Sequence, residues 1–248
     1  MVLSGFAFVG VQWFSDSVQT FLPNQANYAS ASLEASPLVV KIPPVKIDAG
    51  AAFSTRVFAG VSSIIFKQDS QRELPIASLT KLMTALVALE HYDTNQIRDV
   101  LSSMLIESSN QAAEQLSGMM GQALFVATMN QRAKELGMEH THFSDSSGLS
   151  PESYSSAADI ATLSEYLFEN YPLFREIVSL PAHGTMTTTN KLLGQDGIIG
   201  GKTGYTKEAK GCFMAFRALP DGTYSINVIL GADDRFLEME KLIYLVNK

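Results

Sequence analysis

A single cysteine, Cys212, stands among the 248 residues. Neither an internal disulfide framework nor a Cys-rich metal site can be built from it. Charge is scarce as well: 17% of the residues are charged, against about a quarter in an average globular chain. The 18 Lys and Arg are outnumbered by 25 Asp and Glu, a formal net charge of -7. Phosphate contacts need clustered bases, so no nucleic-acid partner is expected. Glycine loops of the Walker or dinucleotide type are missing, and His140 and His142 have no third ligand close in sequence. Neither cofactor nor metal is therefore expected. Disorder is excluded by the opposite property, a hydrophobic content of 46%.

The shortage of charge is concentrated at the start. Residues 1–40 hold no Lys or Arg, and only Asp16 and Glu34 among the acids. The apolar stretch 1–14 is shorter than the roughly 20 residues of a membrane span but suits the apolar region of an export signal. Ala29-Ser30-Ala31 has the small-x-small form of a cleavage site. The basic residues that ordinarily precede such a region are not in the sequence, so this reading takes the start as truncated. The other reading is an ordinary N-terminal helix or strand packed on the body. We read 1–47 as a leader with a Pro-, Ala- and Ser-rich linker, and 48–248 as one domain.

Within that domain the hydrophobic pattern changes period twice. Runs at 51–58 and 61–67 predict two strands joined at Ala59-Gly60. From Ser78, the residues Leu79, Leu82, Met83, Leu86 and Leu89 recur at helical spacing, with Ala85 and Ala88 between them. A helix over 78–90 that is apolar nearly all round should be central and buried. Helices are expected at 97–106, 111–120, 123–136 and 157–168. Strands return at 198–203, 212–219 and 224–230, the last two joined by a turn at Pro220-Asp221-Gly222, before a closing helix over 233–246. The expected fold class is α/β (α+β). An antiparallel sheet is built from the two ends of the domain, flanked by helices, with a helical lobe inserted over about 91–195.

Three constellations bear on chemistry. Ser78 and Lys81 lie three residues apart, on one face of the buried helix. Burial disfavours the charged amine, and a neutral Lys beside a Ser can take its proton and activate it. The competing reading is a helix cap with a snorkelling Lys. Ser108-Ser109-Asn110 sits between two predicted helices, either as a proton relay and amide binder or as a cap. Gly200 to Thr206 places Lys202 and Thr203 on a strand whose glycines admit a substrate backbone. That strand suits edge pairing with a peptide; the other reading is an edge strand with a protective Lys.

In this order the three motifs resemble those of the serine D-alanyl-D-alanine carboxypeptidases, the low-molecular-weight penicillin-binding proteins with a β-lactamase/DD-peptidase-like fold. The resemblance extends along Ile76 to Thr84, Leu105 to Ala113, Asn130 to Met138, Ser147-Gly148-Leu149 and Gly197 to Thr206, and covers roughly 48–248. It implies that Ser78 is the acylated nucleophile, Lys81 its base and Ser108 a proton shuttle. It further implies that Asn110 binds the substrate amide and Lys202 supplies electrostatics. Thr203 and Arg235 hold the terminal carboxylate, and the N–H groups of Ser78 and Tyr205, next to Gly204, form the oxyanion hole. The implied partners are a peptidoglycan stem peptide and β-lactams as covalent inhibitors. The implied place is extracytoplasmic, with the N-terminal segment as a route to membrane association, and a monomer is expected. The same residues would serve a DD-endopeptidase, or a catalytically impaired wall-binding protein that keeps the fold. Two departures stand out. Ser109 occupies a position where Gly is common, and only 27 positions separate Lys81 from Ser108. Members usually carry a longer excursion there, and its loss is expected to open the cleft or to place Ser108 less accurately.

Overall fold

Ala51–Phe58 (β1) turns back into Val61–Gln68 (β2) through Ala59 and Gly60, both at positive φ, 50° and 74°. That is the backbone a two-residue hairpin requires for its twist to match the strands. These and all following statements concern residues 46–247, which the computed structural model describes; the expected export signal and cleavage site lie outside them. Near the other end of the chain run Ile198–Thr206 (β3), Lys210–Ala218 (β4) and Tyr224–Ala232 (β5). All five strands join in one antiparallel sheet of order β2-β1-β5-β4-β3, so β1 pairs with β5 and the two ends of the domain meet in its middle. The expected architecture is the observed one.

Both faces of this sheet are covered, which explains why β4 and β5 read as continuous apolar runs. On one face Phe213, Ala215 and Ile229 pack against Met239, Leu242 and Ile243 of Arg235–Val246 (α7). On the other, Met214, Phe216, Ile226 and Val228 face the helical lobe. That lobe is built around Thr80–His91 (α1), all of whose residues from Thr80 to Leu89 are buried. Its neighbours are Thr94–Ile106 (α2), Asn110–Met120 (α3), Gln122–Glu135 (α4) and Ala157–Asn170 (α5). Cys212 lies in the sheet as a fully buried small side chain, its thiol pushed up to about 11 by burial.

The short passage from Lys81 to Ser108 acquires a geometric meaning here. Helix α1 has 12 residues and α2 has 13, so each spans about 18–20 Å. Only Tyr92 and Asp93 join them, and Asp93 caps α2 by accepting the N–H of Asn95 at 2.8 Å. Two helices of matched length joined this tightly run antiparallel. The chain therefore comes back to the level at which α1 began, with Asn110 beside Lys81.

Some elements depart from expectation. Ser78 belongs to a 3-10 turn, Ala77–Leu79, ahead of α1 rather than to the helix itself. A seventh helix, Pro172–Val178 (α6), was not expected; Pro172 suits its first turn. The lobe also holds a two-residue ladder, Ala182–His183 with Met186–Thr187, and Leu74–Pro75 pairs with Tyr154–Ser155. Strand β3 continues three residues past Thr203.

Candidate active site

The turn carrying Ser78 is held by backbone from two sides. A Cβ on Gly204 of β3 would lie 2.9 Å from Ser78 N and 3.1 Å from Ile76 O. A Cβ on Gly148 would lie 1.8 Å from Ala77 O, and Gly148 has φ +79°. Only glycine allows either approach. Ala77 itself sits at φ 46°, a left-handed position that a non-glycine residue adopts only when its surroundings enforce it. Ser78 is half-buried, whereas Ala77 and Leu79 on either side are buried.

Lys81, one turn into α1, is fully buried. Its Nζ lies 2.8 Å from Ser78 Oγ, 2.7 Å from Asn110 Oδ1 and 2.7 Å from the carbonyl oxygen of Ser147. Two of these three neighbours can only accept. A neutral amine has two N–H groups and one lone pair, so the two carbonyl-type oxygens take both hydrogens and the lone pair faces the Ser78 hydroxyl. Burial lowers the amine to about 8, while the nearby Asp145 carboxylate pulls the other way. Asp145 also builds the loop, since its two oxygens accept the N–H groups of Ser147, Gly148 and Ser150.

The second motif divides between two tasks. Ser109 is the cap of α3, accepting the Ala112 N–H at 3.2 Å. Ser108, at φ 67°, points elsewhere and accepts from Lys202 Nζ at 2.8 Å. Asn110 opens α3 and reaches Lys81. The short inter-motif segment therefore leaves Ser108 within hydrogen-bond range of the third motif, contrary to the loss of placement expected from its length. Lys202 is 1% exposed on edge strand β3, so it points into the protein and does not protect the edge. Its amine is held well below the ordinary lysine value by burial, with Lys81 and Arg235 adding like-charge repulsion. It also donates to Thr203 O at 2.9 Å.

Thr203 Oγ1 lies 2.7 Å from Thr189 Oγ1. Arg235, first in α7, fits over Gly211 of β4, where a Cβ would stand 3.0 Å from its own Cβ. It does not pair with its acidic neighbours: Asp233 takes Lys210 at 2.9 Å and Asp234 caps α7. Its Nε is buried without a hydrogen-bond partner among the described residues, and burial lowers its affinity for the proton. Tyr205 stands at the rim, 64% exposed. All nine residues singled out from the sequence thus lie on the 3-10 turn and first turn of α1, at or just before the start of α3, on β3 and at the start of α7. Three basic side chains, Lys81, Lys202 and Arg235, share this region, an arrangement that favours a carboxylate. Asp145, the Ser147 carbonyl and Thr189 were not anticipated. Ser147-Gly148-Leu149 was noted only as part of the family resemblance, and a backbone carbonyl has no residue-type signature.

A family model described as D-alanyl-D-alanine carboxypeptidase matches residues 89–234. The D-alanyl-D-alanine carboxypeptidase DacF of Bacillus subtilis is 30% identical over 217 residues, 68% of this chain and 54% of that protein. A D-alanyl-D-alanine endopeptidase of Haemophilus influenzae is 38% identical over 121 residues, 37% of this chain and 41% of that protein. The chain thus spans about half the length of these curated relatives. Penicillin-binding protein D2 of Listeria monocytogenes, solved with cefotaxime bound, superposes with a TM-score of 0.76 at 32% identity. That alignment covers 83% of this chain and all of the Listeria one.

Proposed function

The chain belongs to the D-alanyl-D-alanine carboxypeptidase family, and from that membership and the site geometry we propose a serine DD-carboxypeptidase acting on peptidoglycan stem peptides. The observation that carries this reading is the environment of Lys81 Nζ, with two obligate acceptors and the Ser78 hydroxyl around one nitrogen. Neutral Lys81 takes the Ser78 proton as Oγ attacks the penultimate D-Ala carbonyl. The N–H groups of Ser78 and Tyr205 receive the oxyanion. Ser108, with Lys202 behind it, relays that proton from the Lys81 ammonium to the departing amine, and the C–N bond breaks to give free D-Ala, an acyl-Ser78 and a neutral Lys81. Water then cleaves the ester and restores the hydroxyl. Thr203 and Arg235 hold the terminal carboxylate, and Asn110 holds the amide of the acyl portion. Benzylpenicillin, offering an amide carbonyl and a carboxylate in the same relation, would acylate Ser78.

This chemistry belongs outside the cytoplasm, where cell-wall stem peptides are exposed. Among the described residues no helix is long and apolar enough to cross a membrane. Digestion of purified cell wall tests the reading: release of D-Ala from pentapeptide stems is expected. Cross-linked dimers resolved to monomers without D-Ala release would assign the same residues to an endopeptidase. Muropeptide binding with neither product would leave a wall-binding protein.

A further inference from the structure

The five-stranded sheet ends very differently on its two sides. Strand β3 lies against the turn that carries Ser78, through the backbone approach at Gly204. Strand β2 has no neighbour beyond it among the described residues, so alternate N–H and C=O groups along it are left without a ladder partner. Edge strands are ordinarily protected by charge or proline. Lys67 is the single charged residue of β2, and no proline interrupts it. The hairpin instead displays Phe58, Val61 and Ile64, which are 66%, 68% and 62% exposed, with Ile65 beside them.

The faces of β2 follow from its pairing with β1. Ser62 opposes Val57, Ile64 opposes Thr55, Ile65 is an unmatched bulge, and Lys67 opposes Phe53. Val57 and Phe53 belong to the core shared with the helical lobe. Ser62, Ile64 and Lys67 therefore share the lobe-side face, and Ser62 donates to Glu165 of α5 there at 2.6 Å. Beside the hairpin tip, Gly60, Ser62, Glu165 and Glu169 line an open groove of about 460 Å³. Neither glutamate has a cationic partner among the described residues, and exposed Lys67 has no anionic one. Opposite charges thus stand at the two ends of one bare edge.

We propose that β2 is a self-association edge: two copies of this chain pair β2 with β2 antiparallel across a two-fold axis, and Lys67 of each copy enters the acidic groove of the other. A two-fold axis perpendicular to the sheet keeps each face on its own side, so opposed residues must share a face. Centring the axis on Ser63 satisfies this and places Ser62 opposite the Ile64–Ile65 bulge of the second copy. Past the bulge, Val61 meets Phe66 on the α7 side, and Lys67 falls opposite Gly60 on the lobe side, within reach of Glu165. The partner is a second copy because this one edge carries both the cation and the carboxylates, and the two-fold makes them complementary twice. The family resemblance implies a monomer; the bare edge assigns a reversible dimer, weakened as salt rises. The dimer does not depend on the catalytic reading, since neither β2 nor α5 carries a residue of the candidate site.

Sedimentation velocity on the full chain, over a range of concentrations, tests this and is expected to show a monomer–dimer equilibrium. Ile64→Lys, at an exposed position, should abolish the dimer while leaving the melting curve by circular dichroism unchanged. Lys67→Glu alone or Glu165→Lys alone should weaken the dimer about tenfold, because two symmetric exposed pairs are reversed at once. The double reversal should restore it. The Ser63→Cys chain should form a disulfide-linked dimer on mild oxidation, because opposed Cβ atoms of antiparallel strands stand about 4.5–5.5 Å apart and Cys212 is fully buried. A chain that stays monomeric at every concentration would overturn the proposal. So would a dimer indifferent to Ile64→Lys and to both single reversals, which would place the contact elsewhere, or the absence of the Ser63→Cys cross-link.

Discussion

Lys81 must be neutral to accept a proton and is lowered only to about 8, so its protonation state governs the site near neutrality. The rate of acylation by benzylpenicillin should rise about tenfold per unit below pH 8 and level off above it, as stopped-flow measurement would show. A rate independent of pH from 6 to 9 would contradict a lysine base. Lys81→Ala should slow acylation by about 10²–10⁴-fold. Asp145→Asn removes the negative charge that raises the Lys81 value, so the midpoint of the same profile should move to lower pH. Ser78, Lys81 and Lys202 stood out in the sequence by residue type and spacing, and their proposed roles came from the resemblance that the three motifs carry together. What holds Lys81 did not stand out. Two of its three partners are Asn110, 29 positions away, and the carbonyl of Ser147, 66 positions away. Contacts of that separation leave no local pattern. Ser109 illustrates the opposite limit: a cap was foreseen in the second motif, but sequence alone did not divide the capping hydroxyl from the one facing Lys202.

At the scale of elements, the site depends on backbone approaches as much as on side chains. Gly148→Ala would place a methyl carbon against the Ala77 carbonyl. It should destabilise the protein by about 3 kcal/mol or more, combining overpacking with the left-handed φ, as chemical denaturation would report. The lobe has its own tie. Arg132 of α4 donates to Glu90 of α1 at 2.9 Å and to Tyr166 of α5 at 3.3 Å, with both members of the ion pair about one-fifth exposed. Arg132→Met should lower stability by about 2 kcal/mol with an unchanged denaturant slope. Long elements were legible because α1, with its unbroken apolar periodicity, and the paired runs at 51–58 and 61–67 repeat their pattern over several turns or pleats. Helix α6, at seven residues, and the two-residue ladders are too short to establish a period.

For the molecule as a whole, the low content of charge conceals an expensive concentration of it. Two lysines are buried, and Arg235 is buried at Nε, where one sheet edge meets the lobe. Lys202 binds a proton less readily folded than unfolded, so the unfolded chain binds more protons between the lowered value and about 10.4. Its contribution to stability therefore improves as pH rises through that window. Lys202→Met should raise Tm at pH 7 by about 2–4 °C, the shift expected for roughly 1 kcal/mol. The difference from the parent should narrow at higher pH. The same variant should acylate poorly, a trade of stability for function.

The central claim is that Ser78 is the residue at which this chain forms its acyl-enzyme. Intact-mass spectrometry after incubation with benzylpenicillin, followed by peptide mapping, tests it most directly. The account predicts one penicilloyl group per chain, on the peptide containing Ser78, and none in Ser78→Ala. An unmodified parent chain, or an adduct that persists in Ser78→Ala, would contradict it.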